Sequence, residues 1–460
     1  MRSTDQVPLE AVTVATTRAG VDRVLPAYRG FLRGSRSILP VAPGPDGRRL
    51  CTLMAAGDED APVSPGTLVA CTSGSTGTPK GAMLQTHGVL AAVTASADYI
   101  RDRTGADPGP WLLALPAHHI AGTMVILRSL EAGHVPEVMD LTRGHFTSEG
   151  FVDATRRLVS RHPDLPRYTS LVPTQLARLV DAVPGSVSGS VSGSVSGTTA
   201  GDAVDALRSY AAVLVGGGAA PEALVRRCRR LGVTLMLTYG SSETAGGVVY
   251  DGEPLPGYSV RISTDAGDRS SGRIELTGPS VAEGYRQTSS LPAEATADAF
   301  PRPGTFRTSD LGSLTGGVLT VRGRADGAVN SAGLKILPEE VEKALAGAGY
   351  SACAGGVPDD EWGESVAALV QDPTVPAGTD LTTGVRATLK NTGTPAHLIP
   401  RHSYSFPDIP VTGPGKPDRV AVTEILRDLA AGPRSGLREP SVPTVDGSGA
   451  DSADYSEHHG

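Results

Sequence analysis

The sequence predicts a large α/β N-terminal domain with an antiparallel β subdomain, followed by a small α+β C-terminal domain. Three observations lead there. Up to about residue 241, short apolar runs repeatedly lead through a Gly-rich or polar turn into a helical stretch. From about 252 the texture changes to short strands and tight turns. Past 326 a helix, an apolar strand and another helix follow one another.

In chain order, "GTLVACTSG" supplies a strand and "THGVLAAVTASADYI" the helix after it. "WLLALPAHHIAGTMVILRSLEAG" repeats that order, with histidines at the turn. "YTSLVPTQLARLVDAV", "YAAVLVGGGAAPEALVRRCRRLG" and "VTLMLTYGSSE" continue it, as expected of an α/β sheet buried on both faces. "YSVRIST", "GRIELTG" and "GVLTVRG" read as the antiparallel subdomain. "LPEEVEKALAGAG", "SVAALVQD" and "TTGVRATLKNTG" read as the helix, strand and helix of the last domain. The division expected is 1–322, 323–432 and a polar tail over 433–460, whose Pro, Gly and Ser content predicts disorder. The repeat "GSVSGSVSGSVSG", 185–197, is too short and polar to bury a face and reads as a surface loop.

Composition narrows the function classes. With 460 residues the chain is long enough for two or three domains, and its net charge of -8 disfavours nonspecific nucleic-acid binding, which needs a concentrated basic surface. Cys51, Cys71, Cys228 and Cys353 are too scattered for a metal-binding pair and read as small apolar fillers in a reducing cytoplasm. The N-terminus lacks the basic head and apolar core of a signal peptide. No apolar run reaches membrane-spanning length, so a cytoplasmic protein without stable membrane insertion is expected.

"CTSGSTGTPKG", 71–81, concentrates phosphate-binding chemistry. Backbone N–H groups at Gly74, Gly77 and Gly81 can surround oxyanions, Ser73, Ser75, Thr76 and Thr78 add hydroxyls, and Lys80 adds a mobile charge. The G-x-x-x-x-G-K-[ST] order of nucleotide-hydrolysing loops is missing, so the loop indicates polyphosphate more firmly than hydrolysis. In "LTYGSSETAGG", Tyr239 is placed to stack on a base, Glu243 to hold a divalent cation and Thr244 to meet phosphate. One carboxylate suffices as a magnesium anchor when a nucleotide supplies the other oxygens. "GGGAAP", 216–221, leaves little side-chain bulk near a planar ligand. Taken alone, Glu243 also reads as an ordinary surface acid, Asp310 as a turn carboxylate and Lys416 as an exposed lysine.

Together these motifs resemble the adenylate-forming superfamily of acyl-CoA synthetases, luciferases and peptide-synthetase adenylation domains, over about residues 68–420. "TSGSTGTPKGAM" resembles its phosphate loop, "YGSSET" its nucleotide and magnesium motif, and "FRTSDLG" its ribose-binding motif. "VRGRAD" with "GLKILPEEVE" resembles the interdomain hinge and CoA-side loop, and "TGPGKPDR" the terminal lysine loop. The resemblance implies a small, mobile C-terminal domain that rotates between two half-reactions, ATP, Mg2+ and coenzyme A as cosubstrate. It also implies nucleotide contacts from Thr72, Ser73, Gly74, Ser75, Thr76, Gly77, Thr78, Lys80, Gly217, Gly218, Tyr239, Gly240, Ser241, Thr244, Asp310 and Arg324. Glu243 would hold the metal, Lys416 would serve adenylation, Asp326 the hinge, and Gly333 with Lys335 the thioester-forming face.

"LPAHHIAG", 115–122, resembles the acyl-pocket region, with His119 aligned to the family's pocket histidine. The double histidine, the compact N-terminus and "LVPTQLARL" look most like the 2-succinylbenzoate-CoA ligases of menaquinone biosynthesis. That branch implies a small-molecule carboxylic acid, 2-succinylbenzoate, as partner. Another aryl- or acyl-CoA ligase, and a stand-alone adenylation enzyme loading a carrier protein, stay open as alternatives, as does homo-oligomerisation. The chain departs from the family pattern at the SVSG insert, at Gly327 after Asp326, and at Pro414 and Pro417 around Lys416.

Overall fold

In the computed structural model the described residues are 6–72, 79–142, 146–181, 200–263, 272–287, 293–331, 333–411 and 417–431. The SVSG repeat, the tail over 433–460, Ser73–Thr78 and Lys416 lie outside them.

Successive side chains of a strand point to opposite faces, and that alternation sets the layering. β1 (Glu10–Thr13), β2 (Ile38–Val41), β3 (Thr67–Thr72) and β4 (Lys80–Gln85) form one sheet in that order, parallel from β1 to β3 and closed by antiparallel β4. A second sheet holds β5 (Trp111–Leu113), β6 (Glu137–Val138), β7 (Tyr168–Leu171), β8 (Ala212–Gly216), β9 (Leu235–Ser241), β10 (Gly246–Tyr250) and β11 (Glu253–Pro254). Its order is β11-β10-β9-β8-β7-β5-β6, with parallel neighbours from β6 to β9 and antiparallel pairing beyond.

Helices cover both faces of the second sheet. On one side α1 (Arg18–Leu32), α3 (Thr86–Thr104) and α4 (Ile120–Glu131) bring Val21, Tyr28, Val89, Met124 and Leu127 onto Leu214 and Met236. On the other, α5 (Ser148–Arg161), α6 (Pro173–Asp181), α7 (Ala200–Arg208) and α8 (Glu222–Arg230) bring Phe151, Leu176, Leu207 and Val225 onto Val213, Val215 and Leu235. α2 (Pro45–Leu53) flanks the smaller core of Leu39, Val41, Met54 and Val69 against the first sheet. Local signals fix the helix ends: the Thr17 hydroxyl accepts the Gly20 N–H at 2.9 Å ahead of α1, and left-handed Gly105 closes α3.

β12 (Ser259–Ser263), β13 (Gly272–Thr277), β14 (Thr305–Thr315) and β15 (Val318–Arg324) form the antiparallel subdomain, with α9 (Ala293–Ala299) along β14. The smaller C-terminal α+β domain is built on β16 (Val329–Ser331), β17 (Leu334–Ile336), β18 (Ala352–Asp359), β19 (Gly363–Gln371) and β20 (His402–Phe406). Alternation along β19 sends Val366, Ala368 and Val370 toward α10 (Pro338–Gly347) and α11 (Thr382–Asn391). It sends Ala367 and Leu369 toward α12 (Arg419–Ala430).

The sequence reading is corrected at two points. The apolar strands before residue 241 belong to two sheets rather than one, and the 71–81 motif does not lead straight into a helix. β4 intervenes, pairing Thr72 with Lys80 and returning antiparallel along β3 before α3 begins. Among the described residues no helix is long and apolar enough to cross a membrane.

Candidate active site

The C-terminal ends of the parallel strands, where α/β sheets gather ligands, carry several of the residues singled out from sequence. After β5 the chain turns through Pro116 to His119. β8 leads into Gly217 and Gly218, both exposed, and β9 ends in Tyr239, Gly240 and Ser241. Gly217 has φ +78°, a left-handed conformation that suits glycine. At Gly240 a Cβ would stand 2.0 Å from the Gly246 carbonyl oxygen, so any side chain would force β9 and β10 apart.

Beyond β9 a single 3-10 turn, Ser242–Thr244, buries Glu243 to 6% exposure. The Thr244 hydroxyl accepts the Ser241 N–H at 3.0 Å and reaches the Gly246 carbonyl at 2.8 Å, so this fully buried side chain shapes the turn. The Ala282 N–H donates to the Glu243 carbonyl and the Ser280 hydroxyl to that of Thr244, both at 2.8 Å. From there residues 283–286 run antiparallel along β4, through Met83 N–H to Gly284 O at 3.0 Å and Arg286 N–H to Gly81 O at 2.7 Å.

That alignment delivers Tyr285 between the two charged groups. Its hydroxyl donates to Glu243 Oε1 at 2.7 Å, and the Lys80 ammonium lies 5.1 Å from its ring centroid, within cation–π range. Burial, and then the Glu243 carboxylate, push the phenol pKa far up, so the tyrosine keeps the proton that it donates. Glu243 is thereby oriented through one oxygen, leaving the other without a recorded partner among the described residues. This donor set fits a hard divalent cation whose remaining ligands are phosphate oxygens. Among the described residues no group of three or more His, Cys, Asp or Glu side chains is placed to hold a metal by itself. Tyr285 was missed in the sequence because "AEGYRQT" matches none of the motifs read there, and its relation to Glu243 exists only through pairing with β4.

A second group forms around β14 and β15. The Tyr239 hydroxyl donates to Asp310 Oδ2 at 2.8 Å, and the Thr308 hydroxyl accepts the Asp310 N–H at 3.0 Å. Asp310 pairs with Arg324 across the two strands, with a guanidinium nitrogen 3.8 Å from its other carboxylate oxygen. Arg324 also forms a two-pronged contact with Asp326, at 2.9 and 2.6 Å. The ribose candidate, the arginine and the hinge candidate are thus one chain of contacts.

His119 is the N-cap of α4, and its carbonyl accepts the Thr123 N–H at 2.9 Å. Its ring is 4.3 Å, centroid to centroid, from that of His118, whose pKa burial holds below the usual histidine value. Gly333 and Lys335 lie exposed on the β16–β17 hairpin, and no contact recorded among the described residues joins them to the Glu243 group. Burial pushes the Cys71 and Cys353 thiols up to about 12, which removes them as nucleophiles at neutral pH.

The sequence profile of the AMP-binding enzyme family matches residues 45–286, more than half of the chain and the span that contains Lys80, Glu243 and Tyr285. The chain belongs to that family. Its activity is that of an AMP-forming acyl-CoA ligase working through an adenylate. It is 39% identical over 411 residues to a probable 2-succinylbenzoate-CoA ligase of Mycobacterium tuberculosis H37Rv, covering 87% of this chain and 94% of the relative. It is 30% identical over 283 residues to the 2-succinylbenzoate-CoA ligase of Escherichia coli K12, covering 60% and 51%. The fold resembles the Bacillus subtilis o-succinylbenzoate CoA synthetase solved with ATP and magnesium, with TM-score 0.67 and 22% identity over 91% of this chain and 89% of that one.

Proposed function

We propose that this AMP-binding enzyme is a 2-succinylbenzoate-CoA ligase of menaquinone biosynthesis, acting in the cytoplasm. The observation that carries the acid specificity is 39% identity spread over 94% of a relative bearing that name. The reaction class rests on buried Glu243 and Tyr285 together with half-buried Lys80 of β4.

In the first half-reaction the succinyl carboxylate of the substrate attacks the α-phosphorus of ATP. A new oxygen–phosphorus bond forms, and the bond to the β-phosphate bridge breaks with its electron pair leaving on pyrophosphate. Lys80 turns its ammonium to the departing polyphosphate, and Asp310 receives the ribose hydroxyls beside Tyr239. Glu243, oriented by Tyr285, would hold Mg2+, whose charge would offset the negative charge of the phosphates. Lys416 stabilises the charge shifting at the acyl-phosphate bond.

In the second half-reaction the thiol sulfur of coenzyme A attacks the acyl carbon and AMP leaves. No thiol of the chain takes part, in keeping with the raised pKa of Cys71 and Cys353. We read 1–322 and 323–432 as the two bodies that exchange faces between the steps, with Arg324 and Asp326 at the hinge and the Gly333–Lys335 hairpin on the CoA side. His119 borders the acyl pocket at the end of β5.

The test is a panel of carboxylic acids supplied with Mg-ATP and coenzyme A. AMP and an acyl-CoA are expected with 2-succinylbenzoate. Turnover of benzoate or medium-chain acids with none of 2-succinylbenzoate would overturn the acid assignment and leave the ligase class standing.

A further inference from the structure

At the opposite end of the second sheet, away from Gly217, Tyr239 and Glu243, the first residues of β5 and β7 line a separate cleft. Trp111 and Tyr168 are paired across the two strands there, with ring centroids 5.2 Å apart and planes 30° from parallel. Val93 and Ile100 of α3 and Pro108 complete an apolar wall around a space of about 170 Å³.

Four charged residues also line it, Asp98, Arg101, Arg128 and Glu131, and of these Arg128 alone is buried. Arg128 lies near the C-terminal end of α4 and is 7% exposed. One guanidinium nitrogen donates to the Tyr250 hydroxyl at 3.3 Å, and the guanidinium stands 5.4 Å from the Trp111 ring. Its Nε has no acceptor, and among the described residues no carboxylate lies within ion-pair distance of it. Asp98 at the mouth is engaged by Arg101 at 2.9 Å, and Glu131 is exposed. A buried cation without a counter-ion, carrying a buried donor without an acceptor, is costly unless something supplies both. The apolar and aromatic walls exclude a phosphate-rich occupant, while the space suits a single ring.

We propose that this cleft is a second ligand site, taking a small aromatic monocarboxylate with its carboxylate on Arg128 and its ring against Trp111 and Tyr168. The site lies outside the adenylation machinery, although α4 carries His119 at its other end. Its existence does not depend on which acid the enzyme activates.

The chain contains two tryptophans, Trp111 and Trp362. A full-length Trp362→Phe variant therefore reports on Trp111 alone. Titrated with sodium benzoate, its fluorescence should change saturably; the neutral benzamide should produce no saturable change. In that background Arg128→Met should weaken benzoate binding at least tenfold with ligase activity retained. Ala97→Phe, which fills the cleft and keeps Arg128, should abolish the signal and decides the matter if Arg128→Met fails to fold. Absence of a saturable benzoate response, an equal response to benzamide, or a titration unchanged by Ala97→Phe would each overturn the proposal.

Discussion

Glu243 and Glu275 are both buried, at 6% and 1% exposure, yet they are answered by different kinds of partner. Glu275, on β13, meets Arg307 at 3.0 Å through one oxygen and Arg302 and Arg261 at 3.0 and 3.1 Å through the other. Glu243 meets one neutral hydroxyl, that of Tyr285, and a lysine ammonium across the tyrosine ring. A carboxylate saturated by three guanidinium groups has no capacity left for a ligand and serves the subdomain that holds it. One oriented through a single hydroxyl among the described residues keeps its other oxygen open to a cation from outside. Glu137 repeats the first pattern with Arg157 at 2.8 Å and Arg161 at 2.5 Å, so two of the three buried acids among the described residues are neutralised by arginine. Glu243 stands out against them.

The contrast breaks most visibly by removing the saturated acid. Glu275→Ala strands three arginines around an emptied space and should destabilise the chain by about 3 kcal/mol, the low end of the range for a disrupted buried ion pair because two of the arginines are half exposed. Denaturant unfolding measures it, and activity per folded molecule should be retained. Removing only the orienting hydroxyl, with Tyr285→Phe, should leave folding intact and raise the Mg2+ concentration for half-maximal activity about tenfold. A matched loss at saturating Mg2+ would place Tyr285 in a different role.

The weakest expected effect is a pH dependence. Burial alone would raise the Glu275 pKa, and the arginines together more than reverse it, holding the group below the ordinary glutamate value of 4.5. A depressed folded-state pKa means that the stabilisation is complete above the unfolded-state value and disappears as pH falls through the folded one. The stability gap between wild type and Glu275→Ala should therefore be constant near neutrality and narrow below about pH 4.5. A gap that widens on acidification would contradict the assigned partners.

Much of this was legible in the amino-acid pattern, because strands such as "AAVLVG" and helices such as "LPEEVEKALAG" declare themselves by apolar period and turn residues. β4 was not, since "KGAMLQ" continues a loop of glycines and hydroxyls and its alternation gains meaning only against β3. The separation of β1–β4 from the second sheet likewise depends on pairing partners that no local signal names. At the site, Glu243 and Lys80 were read from their motifs. Tyr285, which lies 42 positions after Glu243, becomes its neighbour only because residues 283–286 align along β4. The Tyr239–Asp310 bond joins β9 to β14 across 71 positions and is equally invisible to local reading. Spacing reveals groups that share one turn or strand, whereas tertiary pairing assembles the rest.

Glu243, left with an open oxygen among the described residues, is proposed to hold a cation for adenylation. The most direct measurement is Mg2+-dependent ATP–pyrophosphate exchange driven by 2-succinylbenzoate, in wild type and in Glu243→Gln, beside their unfolding curves. The expected result is about a hundredfold slower exchange in the variant, equivalent to about 2.7 kcal/mol, with unchanged stability. Exchange at the wild-type rate, or a loss explained wholly by unfolding, would contradict it.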